Sequence, residues 1–338
     1  MLYVVLFFLA FSLLLYVLLA GADFGAGIVE LLSSKQNRTV TKKTVYRVIG
    51  PVWEANHIWI IIVVVILWVG FPGFYNILVV YLHIPLTLIL LGITLRGVAF
   101  VFRHYDVYKD KTQVLYDWMF RVSSLLTPIF LGITFSGLIS GKLRVTENLE
   151  TASFYTAYIG SWFNVFSLSI GLFFAGICAF LASILLIGEA DKEERKRYVK
   201  KARITTITVI LLGFMVLSIG YLQEKTFVLN FVKSPYSIVL IVLSALIILP
   251  LLRSIKNQSS IKTRTLAGIQ VVLILLAAFV SQFPDLIITS DKTLSILDAV
   301  ATKEVIKVLG IALIIGGTII LPGLFHLLKS FKMIKILE

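Results

Sequence analysis

The sequence predicts an all-α, polytopic integral membrane protein of about nine transmembrane helices, and three observations carry that prediction. Of its 338 residues, 59% are hydrophobic and 14% charged, which lies outside the range of a water-soluble domain. Apolar stretches of about 20 residues, enough to cross a bilayer core of about 30 Å, follow one another with short polar gaps. Alternate gaps differ sharply in basic content, as membrane topology requires.

The hydrophobic runs place spans near 2–32, 49–70, 76–101, 114–141, 159–187, 203–222, 235–252, 263–283 and 304–328, a single transmembrane domain over 1–338. The first run has no basic n-region and no cleavage site followed by a polar mature chain, so it reads as a permanent span. The breaks fall at Lys35 to Arg47, Phe71-Pro72-Gly73, His104 to Lys111, Lys142 to Glu150, Glu189 to Lys201, Lys225 to Pro235, Arg253 to Lys262 and Pro284 to Lys303. Gaps and span edges after spans one, three, five and seven, with the C-terminal tail, carry 22 Lys or Arg against 6 in the others. The N-terminus is therefore expected outside, and the C-terminus, with Lys329, Lys332 and Lys335, in the cytoplasm. The net charge of +13 is thereby read as topology and not as a nucleic-acid surface. The single cysteine, Cys178, lies in an apolar run, which excludes an internal disulfide, a C-x-x-C pair and a C-x-x-C-H haem attachment. Spans one and five run in the same direction, yet no residue-level repeat joins the two halves.

Ionisable residues inside a membrane cost about 2.5–3.5 kcal/mol each at a helix centre, so each requires a partner, water or a function. Asp23 lies about 32 Å down span one, and Asp23, Gly27 and Glu30 share a face on which the glycine admits a neighbouring helix. Asp23 reads either as an interfacial acid beside a packing seam or as a proton-relay carboxylate. At the start of span two, Gly50-Pro51-Val52-Trp53-Glu54-Ala55-Asn56-His57-Ile58-Trp59 places Pro51 in a first helical turn. The spacing predicts Glu54, His57 and Trp53 on one side. A carboxylate beside an imidazole suits proton relay, and an N-terminal acid favoured by the helix dipole beside interfacial aromatics is the plainer alternative. Arg96 and Arg103 lie seven apart on span three. Arg103 reads as reaching headgroups, and Arg96 as snorkelling or meeting a propionate or carboxylate across an interface. Asp117 and Arg121 have the order of an i, i+4 ion pair. His57, His83, His104 and His326 show no bis-histidine pattern at matching depth, and no phosphate-binding loop, metalloprotease or selectivity-filter motif is present.

Gly21-Ala22-Asp23-Phe24-Gly25-Ala26-Gly27 and the Gly50–Trp59 segment resemble the signatures of subunit II of cytochrome bd-type quinol oxidases. Arg96-Gly97-Val98-Ala99-Phe100 and Gln282-Phe283-Pro284-Asp285 are similar to that family too, and the resemblance spans the whole chain. It implies two similarly folded subunits in a prokaryotic cytoplasmic membrane, each with two four-helix bundles plus one peripheral helix. It further implies electron transfer from quinol to dioxygen by the complex, with haem b, haem d and the quinol site in a haem-bearing subunit I. This chain would then support assembly, access routes and proton delivery, and hold no metal. Asp23 and Glu54 correspond to proton-route acids, with His57 a further candidate. Trp59 corresponds to a residue lining the intersubunit region, with Trp53, Asn56 and Arg96 as further intersubunit or access-route candidates. A small single-helix accessory subunit, membrane lipid and quinone are the other partners compatible with the resemblance; nucleic acid is not. One departure concerns span one, where family members often carry an additional acid at the position of Ala20. A secondary transporter with intramembrane carboxylates is the alternative of a different class, although paired broken helices are missing. A non-catalytic assembly subunit is a third.

The topology is tested in a Cys178→Ala chain by cysteines placed in the 38–43 stretch and in the 146–150 loop. An impermeant thiol reagent is expected to reach them from opposite sides of the membrane, and labelling of both from outside contradicts the assignment.

Overall fold

The computed structural model describes residues 1–105, 111–145 and 153–330. The 146–150 loop, much of the third gap, and Lys332 and Lys335 lie outside the described residues. Among the described residues, nine helices are long and apolar enough to cross a membrane. In chain order the helices are α1 (Leu2–Leu31), α2 (Lys35–Ile49), α3 (Trp53–Gly70), α4 (Pro72–Tyr81), α5 (His83–Tyr105), α6 (Thr112–Ile139) and α7 (Phe154–Tyr158). There follow α8 (Val165–Glu189), α9 (Lys192–Leu222), α10 (Thr226–Lys233), α11 (Pro235–Lys256) and α12 (Ser260–Gln282). An antiparallel pair of two-residue strands, β1 (Ile287–Ile288) and β2 (Thr293–Leu294), precedes α13 (Lys303–Ser330). The spans are α1, α3, α5, α6, α8, α9, α11, α12 and α13.

Several expected boundaries move, for local physical reasons. The span expected over 76–101 is divided: α4 ends at Leu82, whose φ of −116° and ψ of 21° leave the helical region, and α5 starts at His83. Apolar residues continue through the break, so hydropathy does not mark it. Asn164 accepts a hydrogen bond from the Ser167 N–H at 3.0 Å, which starts the fifth span at Val165 and not at 159. The sixth span extends back from 203 to Lys192, because charge opposes membrane insertion and not helix formation. Three gaps between the expected spans contain α-helix, in α2, α7 and α10. In α2 the buried Thr41, Thr44, Val45, Val48 and Ile49 make one amphipathic face on an otherwise polar segment. The 225–235 gap holds α10.

α1 lies at the centre and packs against α3, α6 and α8, while α5 runs along α6 and α9 along α8. α12 joins α8 to α11, and α13 touches α1 and α3 as the least enclosed span. Every residue of α1 from Ala20 to Glu30 is buried. Glycine makes that possible: a Cβ at Gly25 would lie 1.8 Å from the Cys178 carbonyl oxygen on α8, and one at Gly27 would lie 2.2 Å from Ser124 Oγ on α6. At the opposite end, Gly141 takes a φ of +67° just beyond α6. Lys225 Nζ donates to the Ser140 carbonyl at 3.0 Å, closing the last turn of that helix. Burial, with the nearby Lys142 charge, holds the Lys225 ammonium below the ordinary lysine range.

Gly25→Ala forces backbone apart and is expected to lower stability by about 1–3 kcal/mol, as overpacking does. Gly21→Ala meets its nearest atom at 3.5 Å and is expected to leave the thermal midpoint of the purified complex near the parent value. Equal midpoints for the two variants would contradict the close packing of α1 on α8.

Candidate functional site

The buried stretch of α1 carries two carboxylates, and two arginines of α5 reach them. Arg96 donates from Nη2 to Asp23 Oδ1 at 2.6 Å and from Nη1 to Asp23 Oδ2 at 2.9 Å, a two-pronged contact. Its remaining reach is also taken: Nη2 meets the Asp23 carbonyl at 3.1 Å and Nε meets Ser124 Oγ at 3.0 Å. The guanidinium lies 4.9 Å from the Phe120 ring and 5.2 Å from the Phe24 ring. Asp23 is 0% exposed and Arg96 1%, so each charge depends on the other. Gly27 brings Ser124 close enough to complete the set.

Seven residues on, the same pairing recurs. Arg103 Nη2 donates to Glu30 Oε2 at 2.9 Å, and its Nε lies 3.4 Å from Asp117 Oδ1. Asp117 also accepts from Lys42 Nζ at 2.7 Å, which carries the network to α2 and the basic end of the bundle. Arg103 is therefore not a headgroup ligand: it is 5% exposed and lies 4.3 Å over Phe120. The expected Asp117–Arg121 ion pair is likewise replaced. Lys42 and Arg103 occupy the Asp117 carboxylate, and Arg121 Nε donates to the Asp117 carbonyl at 2.8 Å.

His57 does not join Glu54 as the helical spacing predicts. Its Nε2 lies 3.8 Å from Asp23 Oδ2, beyond direct hydrogen-bond range, and its ring packs against Tyr16 and Phe24. Glu54 is exposed, and no described residue bonds its carboxylate. On α3 the two residues are about 60° apart about the axis; that offset turns His57 to α1 and Glu54 away from it. Of the expected intersubunit or access-route residues, Arg96, Asn56 and Trp59 are enclosed within this chain at 1%, 4% and 3% exposure. Trp59 meets Phe11 edge-on at 6.1 Å. Trp53 is half-buried against Phe100 and Gly97.

The sequence reading missed Ser124, the Glu30–Arg103 pair and the Lys42–Asp117 link. A signal for the pairs is present: Asp23 to Glu30 and Arg96 to Arg103 are equal steps of two helical turns. It also passed over Ser12 and Tyr16 on the same helix. Ser12 Oγ, Tyr16 Oη, Trp59 Nε1 and His57 Nδ1 are buried without a protein hydrogen-bond partner. They extend the polar line from Asp23 away from the basic end. Among the described residues, no three of His, Cys, Asp or Glu gather as a metal-binding group. His104 stacks on Tyr46 at 3.9 Å, and His83 and His326 are exposed elsewhere.

A nine-span helical bundle built around internal carboxylate–arginine pairs defines a membrane protein with a polar site inside its helices. The sequence model of the family described as cytochrome bd terminal oxidase subunit II matches residues 1–331, and the chain belongs to that family. It is 26% identical over 300 residues to cytochrome bd ubiquinol oxidase subunit 2 of Bacillus subtilis (strain 168), covering 87% of this chain and 85% of that protein. With cytochrome bd-I ubiquinol oxidase subunit 2 of Escherichia coli (strain K12) it shares 23% identity over 213 residues, covering 61% of this chain and 55% of that one. In fold it is similar to a chain of the bd oxidase from Geobacillus thermodenitrificans, with a TM-score of 0.76, 17% identity, and coverage of 97% and 98% of the two chains. The family supplies subunits of a membrane oxidoreductase complex that contains haem, oxidises quinol and reduces dioxygen. That assignment displaces the transporter reading.

Proposed function

We propose that this subunit carries protons from the cytoplasmic side towards the oxygen-reducing centre of a haem-bearing partner subunit, and that Glu54 is the group exchanging protons at the boundary between them. The observation that carries the reading is the exposure of Glu54 on a membrane-spanning helix with no bonded partner among the described residues. Contact with lipid tails is costly for a carboxylate, so Glu54, in the first turn of α3, is read as facing water or another subunit. Asp23 and His57 supply titratable groups behind it, 3.8 Å apart. The 22-to-6 division of basic residues supports a cytoplasmic location for the end that carries α2, with the N-terminus outside.

The haems belong to the partner in this reading. Support for that reading comes from the described histidines: His57 lies against Asp23, Tyr16 and Phe24, and His104 stacks on Tyr46. The cavity formed by Ile177, Phe180, Thr206, Val209 and Gln270 contains no histidine. The same proposal assigns haem b, haem d and the quinol site to subunit I, with a small accessory helix as a further partner. A second reading, that Asp23 only seats Arg96 for assembly, draws support from the two-pronged clamp that fixes both its oxygens.

Glu54→Gln preserves size and hydrogen bonding and removes proton exchange. It is expected to slow quinol-driven oxygen consumption about tenfold, or about 1.4 kcal/mol in the limiting barrier, with assembly and haem spectrum intact. Glu54→Asp is expected to be milder. Parent turnover by Glu54→Gln across pH 6 to 9, in a normally assembled complex, would refute the relay and leave the assembly reading.

A further inference from the structure

The contact between α2 and α6 has two rungs, and only one is balanced. On the first, Lys42 of α2 meets Asp117 of α6 at 2.7 Å. One turn along each helix stand Arg38 and Arg121, both cationic. The Lys42–Asp117 contact and the one-turn step on each helix bring the Arg38 charge within electrostatic reach of Arg121.

Among the described residues, neither arginine has a carboxylate of its own. Arg121 is 4% exposed, yet its guanidinium makes a single hydrogen bond, from Nε to the Asp117 carbonyl of its own helix. Arg38 donates from Nη2 to the Ser33 carbonyl at 3.2 Å, and its Nε is buried without a partner. The surrounding acids are engaged elsewhere: Asp117 holds Lys42 and Arg103, and Glu30 holds Arg103 through Oε2, while Glu30 Oε1 is buried without a hydrogen bond. Among the described residues, four cations therefore face two carboxylates at a partly buried edge of the bundle, an imbalance that an anion relieves. Two guanidinium forks match the oxygens of a phosphate.

The setting selects the source of that phosphate. The Arg121 guanidinium lies 5.3 Å over Trp118, which is 53% exposed, and Val114 and Leu115 beside it are 62% and 59% exposed. An exposed indole with apolar neighbours at the basic end of a span belongs at the membrane interface, where headgroup phosphates lie. We propose that Arg38 and Arg121 bind the phosphate of an anionic phospholipid, its acyl chains lying along the outer face of α6 at Val114, Leu115 and Trp118. This inference goes beyond proton delivery and stands whether or not Glu54 is a relay.

The test uses the complex purified through a tag on this chain, delipidated in mild detergent and titrated separately with phosphatidylglycerol, phosphatidylcholine and inorganic phosphate. Native mass spectrometry counts bound lipid, and the thermal midpoint of the haem spectrum reports stabilisation. Phosphatidylglycerol is expected to bind and raise the midpoint, with phosphatidylcholine and phosphate far less effective. Arg38→Gln and Arg121→Lys are each expected to weaken phosphatidylglycerol binding at least tenfold, and Lys43→Gln, elsewhere on α2, to leave it unchanged. Arg121→Lys keeps the buried charge, and Arg38 lies at a half-buried edge, so at least one variant assembles for measurement. Parent-like phosphatidylglycerol binding by an assembled Arg38→Gln or Arg121→Lys complex overturns the site. Stabilisation by inorganic phosphate equal to that by phosphatidylglycerol overturns the lipid as its ligand.

Discussion

The bond between Asp23 and Arg96 is the interaction on which the mutual placement of α1, α3, α5 and α6 turns. Either charge alone inside the bundle would carry an unpaired desolvation cost of several kcal/mol. Together, with Ser124 and the Asp23 carbonyl taking two more of the five guanidinium donors, they form a polar unit inside an apolar interior. α5 packs along α6 and not along α1, so the arginine side chains cross the space between two helices that do not otherwise adhere. The aromatic faces of Phe24 and Phe120 line that crossing.

A buried ion pair is seldom the most stable solution for its volume, since well-packed apolar residues often do as well. Its value here lies in register. Asp23 meets Arg96 and Glu30 meets Arg103, and both partners are seven residues further along helices running in the same direction. A slip of one turn would break both pairs at once. Gly25 and Gly27 add a steric condition to the electrostatic one, because the backbones of α1 and α8, and Ser124 of α6, approach only where no side chain intervenes. The consequence is that His57 is delivered to Asp23 by packing, while Glu54, about 60° around α3, is left on the outside. Internal and boundary carboxylates thus arise from one helix placement.

Much of this was legible in the sequence, and the misassigned side-chain contacts have a common cause. The nine spans follow from apolar length, and Gly27 was read correctly as the point where a helix approaches Asp23. Arg96 was read as snorkelling or meeting a carboxylate, and it meets one within its own chain. Spacing along one helix predicts which residues share a face and says nothing of the helix opposite. For that reason Asp117 was paired with Arg121, its neighbour at i+4, when Lys42 and Arg103 arrive from other elements. The same limit joined His57 to Glu54. The break at Leu82 escaped because hydropathy is continuous across it, and α2 escaped because its buried face is built partly from threonines.

The central claim is that Asp23 and Arg96 are energetically coupled and that their mutual neutralisation, not either side chain's packing, holds the bundle in register. A double-mutant cycle on the thermal stability of the purified complex, using Asp23→Leu, Arg96→Met and both together, measures that coupling. Each single change is expected to cost about 3–5 kcal/mol by stranding the opposite charge, and the double change to recover most of that loss. A double variant destabilised by the sum of the two single effects would show the residues to be independent and contradict the account.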